Sequence, residues 1–196
     1  MILPIVAYGE NILKTKAVNI TSGYPELKKL INDMWETMYN ANGVGIAAPQ
    51  IGKSIRLFVI DASPFSEDKE ISDDEISTLK NFKKVFINPE IIHETGDEWN
   101  FMEGCLSIPN IREDIKRKEK ITIKYYNESF EEIVLDLQGL AARVVQHEYD
   151  HIEGVLFIDK LSSLKKKLLK GKLNDISKGK IKTEYKMRYP QGKIKR

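Results

Sequence analysis

The clearest helical pattern in the first third of the chain is an apolar stripe that repeats every three or four residues. It predicts a helix from about Tyr24 to Tyr39, with Pro25 in the first turn, where proline is tolerated. The stripe consists of Leu27, Leu30, Ile31, Met34, Trp35 and Met38. This spacing indicates that one face of the helix packs against a core.

Four later segments are rich in β-branched and aromatic residues or alternate apolar with polar positions, which is typical of strands. They are Ile55–Ile60, Val85–Ile92, Lys120–Tyr126 and Glu131–Leu137. A second helical stripe follows, made of Leu140, Ala141, Val144, Val145 and Glu148. Gly154 stands where a helix C-terminal cap belongs. The pattern predicts an α+β fold, a single domain over residues 1–196 with antiparallel or mixed strands packed around one central helix.

Charge is unevenly distributed along the chain. Ser66–Lys80 holds six acidic residues against two lysines, and we interpret residues 61–82 as an acidic surface insertion. A solvated loop is the default there, and a short helix starting near Asp73 is the alternative. The basic C-terminal extension, Lys160–Arg196, holds fourteen Lys and Arg residues against two acidic ones, although the whole chain carries only +2.

Such a basic segment is either a solvated surface or a contact for a polyanion. We expect part of it to form a helix that packs through Leu161, Leu164, Leu168 and Leu169. The single cysteine excludes an internal disulfide, and the first residues show neither a signal-peptide pattern nor a long apolar run. We therefore expect a cytoplasmic protein without a membrane partner.

The segment Gln146-His147-Glu148-Tyr149-Asp150-His151 carries the strongest chemical signal. On a helix, residues four apart share a face, so His147 and His151 can reach one metal ion. Glu148 is then placed to contact a water on that metal. The plain alternative is two buried histidines whose ring nitrogens are satisfied by backbone carbonyls.

A catalytic metal site usually takes three protein ligands and keeps one position open. One group of metalloproteases supplies a third histidine six residues after the second, but that position is Phe157. His93 lies in a polar stretch and is expected to be exposed. Cys105 is the remaining candidate, because a thiolate binds soft and borderline metals. A lone cysteine is also commonly a small buried apolar residue, or a catalytic nucleophile.

Three segments in this order resemble the peptide deformylases. They are Gly43-Val44-Gly45-Ile46-Ala47-Ala48-Pro49-Gln50, Glu103-Gly104-Cys105-Leu106-Ser107 and the His-Glu-x-x-His (HExxH) segment. The resemblance runs from about Leu3 to Phe157, which is most of the chain. It implies a hydrolase that removes the N-formyl group from the formylmethionine of newly made polypeptides and releases formate.

The resemblance also implies roles for individual residues. Cys105, His147 and His151 would hold one divalent metal, which the resemblance suggests is Fe²⁺, with Zn²⁺, Ni²⁺ or Co²⁺ as alternatives. Glu148 would take a proton from a water on the metal and return it to the departing amine. The side-chain amide of Gln50 and the backbone N–H of Leu106 would stabilise the negative charge on the formyl oxygen.

The substrate contacts follow from the same resemblance. The methionine side chain would enter a pocket lined by Val44, Phe101, Leu140 and Val144. Gly45 would let the substrate approach the backbone, and Arg112 would hold the peptide. Arg143 stands at an unexpected position, where we expect its stem to cover the pocket while its charge points elsewhere.

Two further expectations concern more distant contacts. Asp150 is expected to pair with Arg117 and to brace the ligand helix. The basic extension would contact the ribosome, and no contact with DNA is expected.

Two other functions remain open at this point. A metalloprotease would also use the His-Glu-x-x-His helix, but Phe157 and Cys105 fit it poorly. A structural metal site without enzymatic activity would normally have four protein ligands, whereas only three are evident in the sequence.

Overall fold

The computed structural model describes residues 1–67, 71–190 and 194–195, with side chains up to residue 190. The main sheet has five strands in the order β2-β3-β4-β5-β6, and every neighbouring pair is antiparallel. The strands are β2 Gly45–Ala47, β3 Leu57–Asp61, β4 Lys83–Cys105, β5 Ile108–Tyr126 and β6 Glu132–Gln138. A smaller sheet joins β1 Ile5–Val6, β7 Met187–Arg188 and β8 Ile194–Lys195.

Four α-helices are described in these ranges: α1 Leu27–Asn40, α2 Asp73–Lys80, α3 Gly139–Ile152 and α4 Ser163–Ser177. Short 3₁₀ helices cover Asn11–Lys14, Ala48–Ile51, Ser63–Glu67 and Phe157–Lys160. No helix among the described residues is both long and apolar enough to cross a membrane. The α+β fold with a central α3 is as predicted.

The third helix is buried between the sheet and the rest of the protein. Leu140, Ala141, Val144 and Val145 pack with sheet residues such as Phe58 and Ile123 in one core cluster. A second cluster joins α1 to β2 and β3, and a third joins α4 to the β4–β5 turn and to β1. The helix α3 therefore lies in the interior of the molecule.

The β4–β5 pair is longer than the sequence predicted. The predicted strand ended at Ile92, but β4 continues through exposed polar residues to Cys105. Pairing with β5 satisfies its backbone groups, and cross-strand pairs such as Glu98 with Lys118 join opposite charges. Four register shifts bend the pair, the last of them between Gly104 and Cys105. The strand therefore ends with Cys105 next to the interior of the protein.

Three local predictions were wrong. The first helix starts at Leu27 and not at Tyr24, because Glu26 has a left-handed backbone with φ of 53°. The solvated loop expected by default in the acidic segment is replaced by the stated alternative, a helix over Asp73–Lys80, where the Ser72 hydroxyl accepts a hydrogen bond from the Glu75 N–H. Residues 68–70 of that segment lie outside the described residues.

The third wrong prediction concerns the packed face of α4. Leu164 and Leu168 are 67% and 73% exposed, whereas Leu169, Leu173 and Ile176 are buried. The stripe that packs therefore starts at Leu169 and continues towards the helix C-terminus. Leu161, which precedes the helix, is buried as predicted.

Candidate metal centre

Cys105, His147 and His151 converge although they come from different elements. Cys105 is the last residue of β4, and the two histidines lie one turn apart on α3. Their potential ligand atoms all lie within 4.8 Å of one another, and Cys105 Sγ is 3.2 Å from His151 Nε2. Metal–ligand bonds of about 2.0–2.3 Å in tetrahedral geometry need separations of this order. The donor atoms therefore fit one divalent ion.

The cluster found among the described residues has three members and borders a cavity, as in catalytic sites that keep a position open. Phe157 cannot serve as a ligand and is buried, with its ring 6.1 Å from that of His147. His93 is exposed on β4, as predicted. The Nδ1 atom of His151 is buried and has no hydrogen-bond partner among the described residues.

The ligand helix is held at both ends. At its C-terminus Gly154 adopts a φ of 74°, and the Val155 N–H donates to the Asp150 carbonyl at 2.8 Å, which is a Schellman cap. At its N-terminus the Leu140 N–H donates to Glu75 of α2 at 2.7 Å. This second contact was not predicted from the sequence, because Glu75 lies in the segment interpreted as a solvated loop.

The buried carboxylate of Glu103 is the shared hydrogen-bond partner of several residues next to the candidate ligands. It accepts hydrogen bonds from Arg117 Nε at 2.7 Å, from Arg117 Nη2 at 2.9 Å and from Arg143 Nη1 at 3.0 Å. Its other contact is His147 Nδ1 at 2.9 Å, so Nε2 of that ring is the nitrogen that could bind a metal. Arg117 also donates to Asp150 at 2.6 Å, the pair that the sequence predicted.

Glu103 remains ionised inside the protein. Burial alone would raise its pKa, but the hydrogen bonds from Arg117 and His147 outweigh burial and hold the pKa well below the usual value. Burial would lower the pKa of His147, yet the neighbouring Cys105 and Glu103 raise it well above the usual value. These negative groups therefore favour a positive charge at the site.

Arg143 belongs to the same network. Its side chain is buried, and it donates to the carbonyls of Ile115 at 2.9 Å and Trp99 at 2.7 Å. Its guanidinium also lies 4.3 Å from the centre of the Trp99 ring. The charge thus points into the Glu103 network. The expectation from the sequence was only that this charge would point away from the pocket, and Glu103 was not predicted as its partner.

Glu148 lies beside the cluster and is buried. Its Oε2 has no hydrogen-bond partner among the described residues. Burial raises the pKa of Glu148 to about 7. A carboxyl group with this pKa can both accept and return a proton near neutral pH. Gly45 lies directly against it, since a Cβ added there would be 2.5 Å from Glu148 Oε1.

Gln50 is presented by the 3₁₀ helix Ala48–Ile51 and is 1% exposed. Its Oε1 accepts from the Ala47 N–H at 2.8 Å, so the amide group has one orientation. Its Nε2 points towards Cys105 Sγ at 3.6 Å and Ser107 Oγ at 3.4 Å. The side-chain N–H donors of Gln50 therefore face the candidate metal site.

A cavity of about 860 Å³ opens onto Cys105, His147 and Glu148. Among the predicted substrate contacts, its lining includes Val44, Gly45, Phe101, Arg112 and Val144, together with Gln50 and Leu106. Leu140 is not among the lining residues and is 4% exposed within the core.

Some residues that line the cavity were not predicted from the sequence. Phe65 reaches it from the segment interpreted as an insertion, and Glu184 and Tyr185 reach it from the basic extension. The sequence offered no signal for these contacts, because they depend on distant parts of the chain.

Comparisons with known proteins agree on one family. The family model described as polypeptide deformylase matches residues 2–167. A peptide deformylase from Christiangramia forsetii is 61% identical over 193 residues, 98% of each chain. The one from Flavobacterium johnsoniae is 55% identical over 193 residues, again 98% of each.

The solved structures point to the same family. The crystal structure of a peptide deformylase from Legionella pneumophila has a TM-score of 0.76 at 38% identity, covering 92% of this chain and 98% of that one. A peptide deformylase structure from Thermotoga maritima has a TM-score of 0.71 at 40% identity, covering 83% of this chain and 99% of that one. The chain belongs to the peptide deformylase family.

Proposed function

We propose that Cys105, His147 and His151 hold one divalent metal ion, and that Glu148, Gln50 and Leu106 carry out deformylation beside it. As a member of its family, the protein is a metal-dependent hydrolase that removes the N-formyl group from formylmethionyl peptides. The observation that carries the assignment is the convergence of the three ligands at the edge of the cavity, with Glu148 next to them.

The donor set supports a transition metal of the first row. One thiolate and two imidazoles suit iron, zinc, nickel or cobalt. We propose Fe²⁺ as the native ion. When bound, such an ion polarises a carbonyl group and lowers the pKa of a coordinated water.

Glu148 is the proposed proton carrier. Its buried carboxylate, with a pKa of about 7, would take a proton from the attacking water and deliver it to the nitrogen of the departing amine. Gly45 leaves space for this carboxylate, since any side chain there would displace it. We expect Glu148→Gln to lower kcat by about 10²–10⁴, the usual size of a general acid–base contribution.

Gln50 and Leu106 are the proposed donors to the formyl oxygen as it becomes negative. The fixed amide of Gln50 points its N–H groups at the site, and Leu106 follows the ligand Cys105 directly. Donors that are held in place before the reaction do not need to reorganise as charge develops.

The methionine side chain would bind in the apolar part of the cavity, against Val44, Phe101 and Val144. Leu140 lies in the core next to this wall, and we propose that it supports the pocket from behind. Arg112 is exposed at the cavity, where it would bind the peptide carbonyl groups. The sulfur of methionine would then lie among apolar and aromatic side chains.

The decisive experiment measures formate release from formyl-Met-Ala-Ser by protein purified without air and loaded with Fe²⁺, Zn²⁺, Ni²⁺ or Co²⁺. Metal stoichiometry is measured in parallel for His151→Ala and for His93→Ala, an exposed histidine on β4 that serves as the matched control. We expect the first variant to lose both metal and activity and the second to keep both. Cleavage of an internal peptide bond without formate release would instead favour a metalloprotease.

We also propose that the basic extension contacts ribosomal RNA in the cytoplasm. Lys167, Lys170 and Lys172 are exposed on α4, and Leu164 and Leu168 are exposed beside them. Reversing the three lysine charges should weaken cosedimentation with ribosomes and flatten its salt dependence, because fewer phosphates would be neutralised. Unchanged cosedimentation at every salt concentration would contradict the proposal.

A further inference from the structure

A segment near the C-terminus, residues 183–190, returns to the active-site cavity. These residues lie beyond the part of the chain that the family model matches, which ends at residue 167. The segment is held by the parallel pairing of β7 with β1, where the Ile5 N–H donates to the Lys186 carbonyl at 2.9 Å. Met187 is fully buried. The segment is thus an integral part of the core next to the site.

Tyr185 links this segment to the residue beside the cysteine ligand. Its hydroxyl donates a hydrogen bond to the Leu106 carbonyl at 2.8 Å, and its side chain lines the same cavity as Cys105. Burial, with a smaller contribution from the neighbouring Cys105, raises the pKa of Tyr185 above its usual value. The hydroxyl therefore stays protonated and remains a donor.

The turn that carries Leu106 is short, and besides Tyr185 it is bonded through Ser107, whose hydroxyl accepts from Gln50 Nε2 at 3.4 Å. Leu106 and Ser107 alone connect the paired residues Cys105 and Ile108. The Ser107 carbonyl accepts from the Tyr8 N–H at 2.9 Å. The N–H of Leu106 belongs to the Cys105–Leu106 peptide and its carbonyl to the next peptide, so the two are linked by the φ and ψ angles of Leu106. The bond from Tyr185 holds the second peptide in place. It therefore limits how far Leu106 can rotate and, with it, how far the N–H can turn.

The same segment also touches the support of the second proposed donor. A Cβ added at Gly52 would lie 2.7 Å from Arg188 Nη1, so the Arg188 side chain packs against the end of the 3₁₀ helix that presents Gln50. Residues 183–190 therefore contact the supports of both proposed oxyanion donors. Of these contacts, the hydrogen bond from the Tyr185 hydroxyl is the one that can be removed by a conservative substitution, Tyr185→Phe.

We propose that Tyr185 is a positioning residue that fixes the backbone N–H of Leu106 towards the developing negative charge. The inference rests on the proposed donor role of Leu106. Loss of an oxyanion donor costs about 10²–10³ in kcat, and a displaced donor costs less. We therefore expect Tyr185→Phe to lower kcat by about 3- to 30-fold with a KM within about twofold of wild type.

The test compares Tyr185→Phe with Tyr189→Phe, which removes a buried hydroxyl from the same segment on the side that packs against Gly179. Steady-state formate release gives kcat and KM for the full-length Fe²⁺ enzyme. The orientation of Leu106 is read separately by NMR on the Zn²⁺ form. Because the chain has one cysteine, labelling Cys with carbonyl ¹³C and Leu with ¹⁵N selects the single Cys105–Leu106 peptide.

A shifted Leu106 amide signal with a lowered kcat in Tyr185→Phe, and neither change in Tyr189→Phe, supports the inference. Wild-type values for both readouts in Tyr185→Phe overturn it, and so do equal losses in the two variants. A shifted signal with unchanged kcat also overturns it, and would show that the donor role of Leu106 is the step that fails. Failure of the deformylase assignment itself is distinct, since the wild type would then release no formate.

Discussion

Replacing Glu103 by glutamine tests whether the metal ligands depend on the charged residues behind them. Glu103 accepts two hydrogen bonds from Arg117 and one from Arg143, and it contacts His147 Nδ1. The carboxylate and the two guanidinium groups are at most 4% exposed. Glutamine preserves the size of the side chain but removes the charge and turns one acceptor into a donor.

The expected cost follows from the burial of this network. Removing one partner of a buried ion pair costs about 3–5 kcal/mol, because the remaining charge is left uncompensated. Asp150 still pairs with Arg117 at 2.6 Å in the variant, so we expect the lower end of that range. A loss of about 3 kcal/mol would lower Tm by roughly 6–12 °C for a chain of this size. The ring of His147 would also lose its orienting acceptor, which should weaken metal affinity by about 10- to 100-fold.

Both effects can be measured on one protein preparation. Urea denaturation of the metal-free protein gives the stability change, and competition with a chelator gives the metal affinity. Glu113→Gln is the matched control, since Glu113 pairs in register with Glu103 but makes its bond to Lys165 at the surface. A stability change below about 1 kcal/mol, the average for any substitution, together with unaltered metal affinity would refute the reasoning.

Three further substitutions test other contacts. Gly45→Ala should lower kcat by about 10- to 100-fold in the formate assay, because the new Cβ would lie 2.5 Å from Glu148 Oε1 and displace it. Glu75→Ala should destabilise the protein by about 0.5–2 kcal/mol in urea, because the N–H of Leu140 loses its acceptor. Burial alone would raise the pKa of Asp61, but hydrogen bonds from hydroxyl groups lower it. Its charge thus stabilises the fold above the unfolded pKa of about 3.9, so Asp61→Asn should destabilise at pH 7 and progressively less as the pH falls below that value towards the lower pKa of the folded protein.

Each of these three predictions is paired with a control variant or with an outcome that would contradict it. Gly23→Ala should leave activity intact, because no atom lies within 4 Å of the added Cβ. Asp74→Ala changes an exposed acid in the same turn of α2 and should cost less than Glu75→Ala. An effect of Asp61→Asn that grows towards low pH would show that the sign of the charge argument is wrong.

The elements that could be predicted from the sequence are those whose pattern is local. The apolar stripe of α3 and its glycine cap can both be recognised in the sequence, because they lie within about four helical turns of each other. The structure contains both. Four strands of the main sheet were predicted, but β4 and β5 were cut short, since the outer part of β4 is polar and is stabilised by its pairing with β5. The strands β1, β2, β7 and β8 were not predicted, because each has only two or three residues and shows no pattern in the sequence. The packed face of α4 was misassigned because its amphipathic pattern does not say which side the rest of the protein covers.

The site residues divide in the same way. His147 and His151 follow from helical spacing, and Cys105 was the remaining candidate for a third ligand, whereas Gln50 and Leu106 came from the family resemblance. Glu103 was not identified, although it lies two residues before Cys105. Its burial depends on Arg117 and Arg143, which lie 14 and 40 residues further along the chain. Charged residues look exposed in a sequence until their distant partners are known.

The distances along the chain also determine how metal binding is coupled to folding. Cys105 contacts His151 across 46 residues and Gln50 across 55, and Tyr185 reaches Leu106 across 79. Of the three proposed ligands, only His147 and His151 lie close together in the sequence, so we expect a metal ion to bind chiefly to the folded protein. A metal ion that binds chiefly to the folded protein stabilises it by about 2.7 kcal/mol at a concentration one hundred times its Kd. Contacts that shape the site, including those of Glu103, should therefore affect the free energy of unfolding in two ways. They stabilise the folded chain directly, and they raise the affinity for a metal ion that stabilises it further.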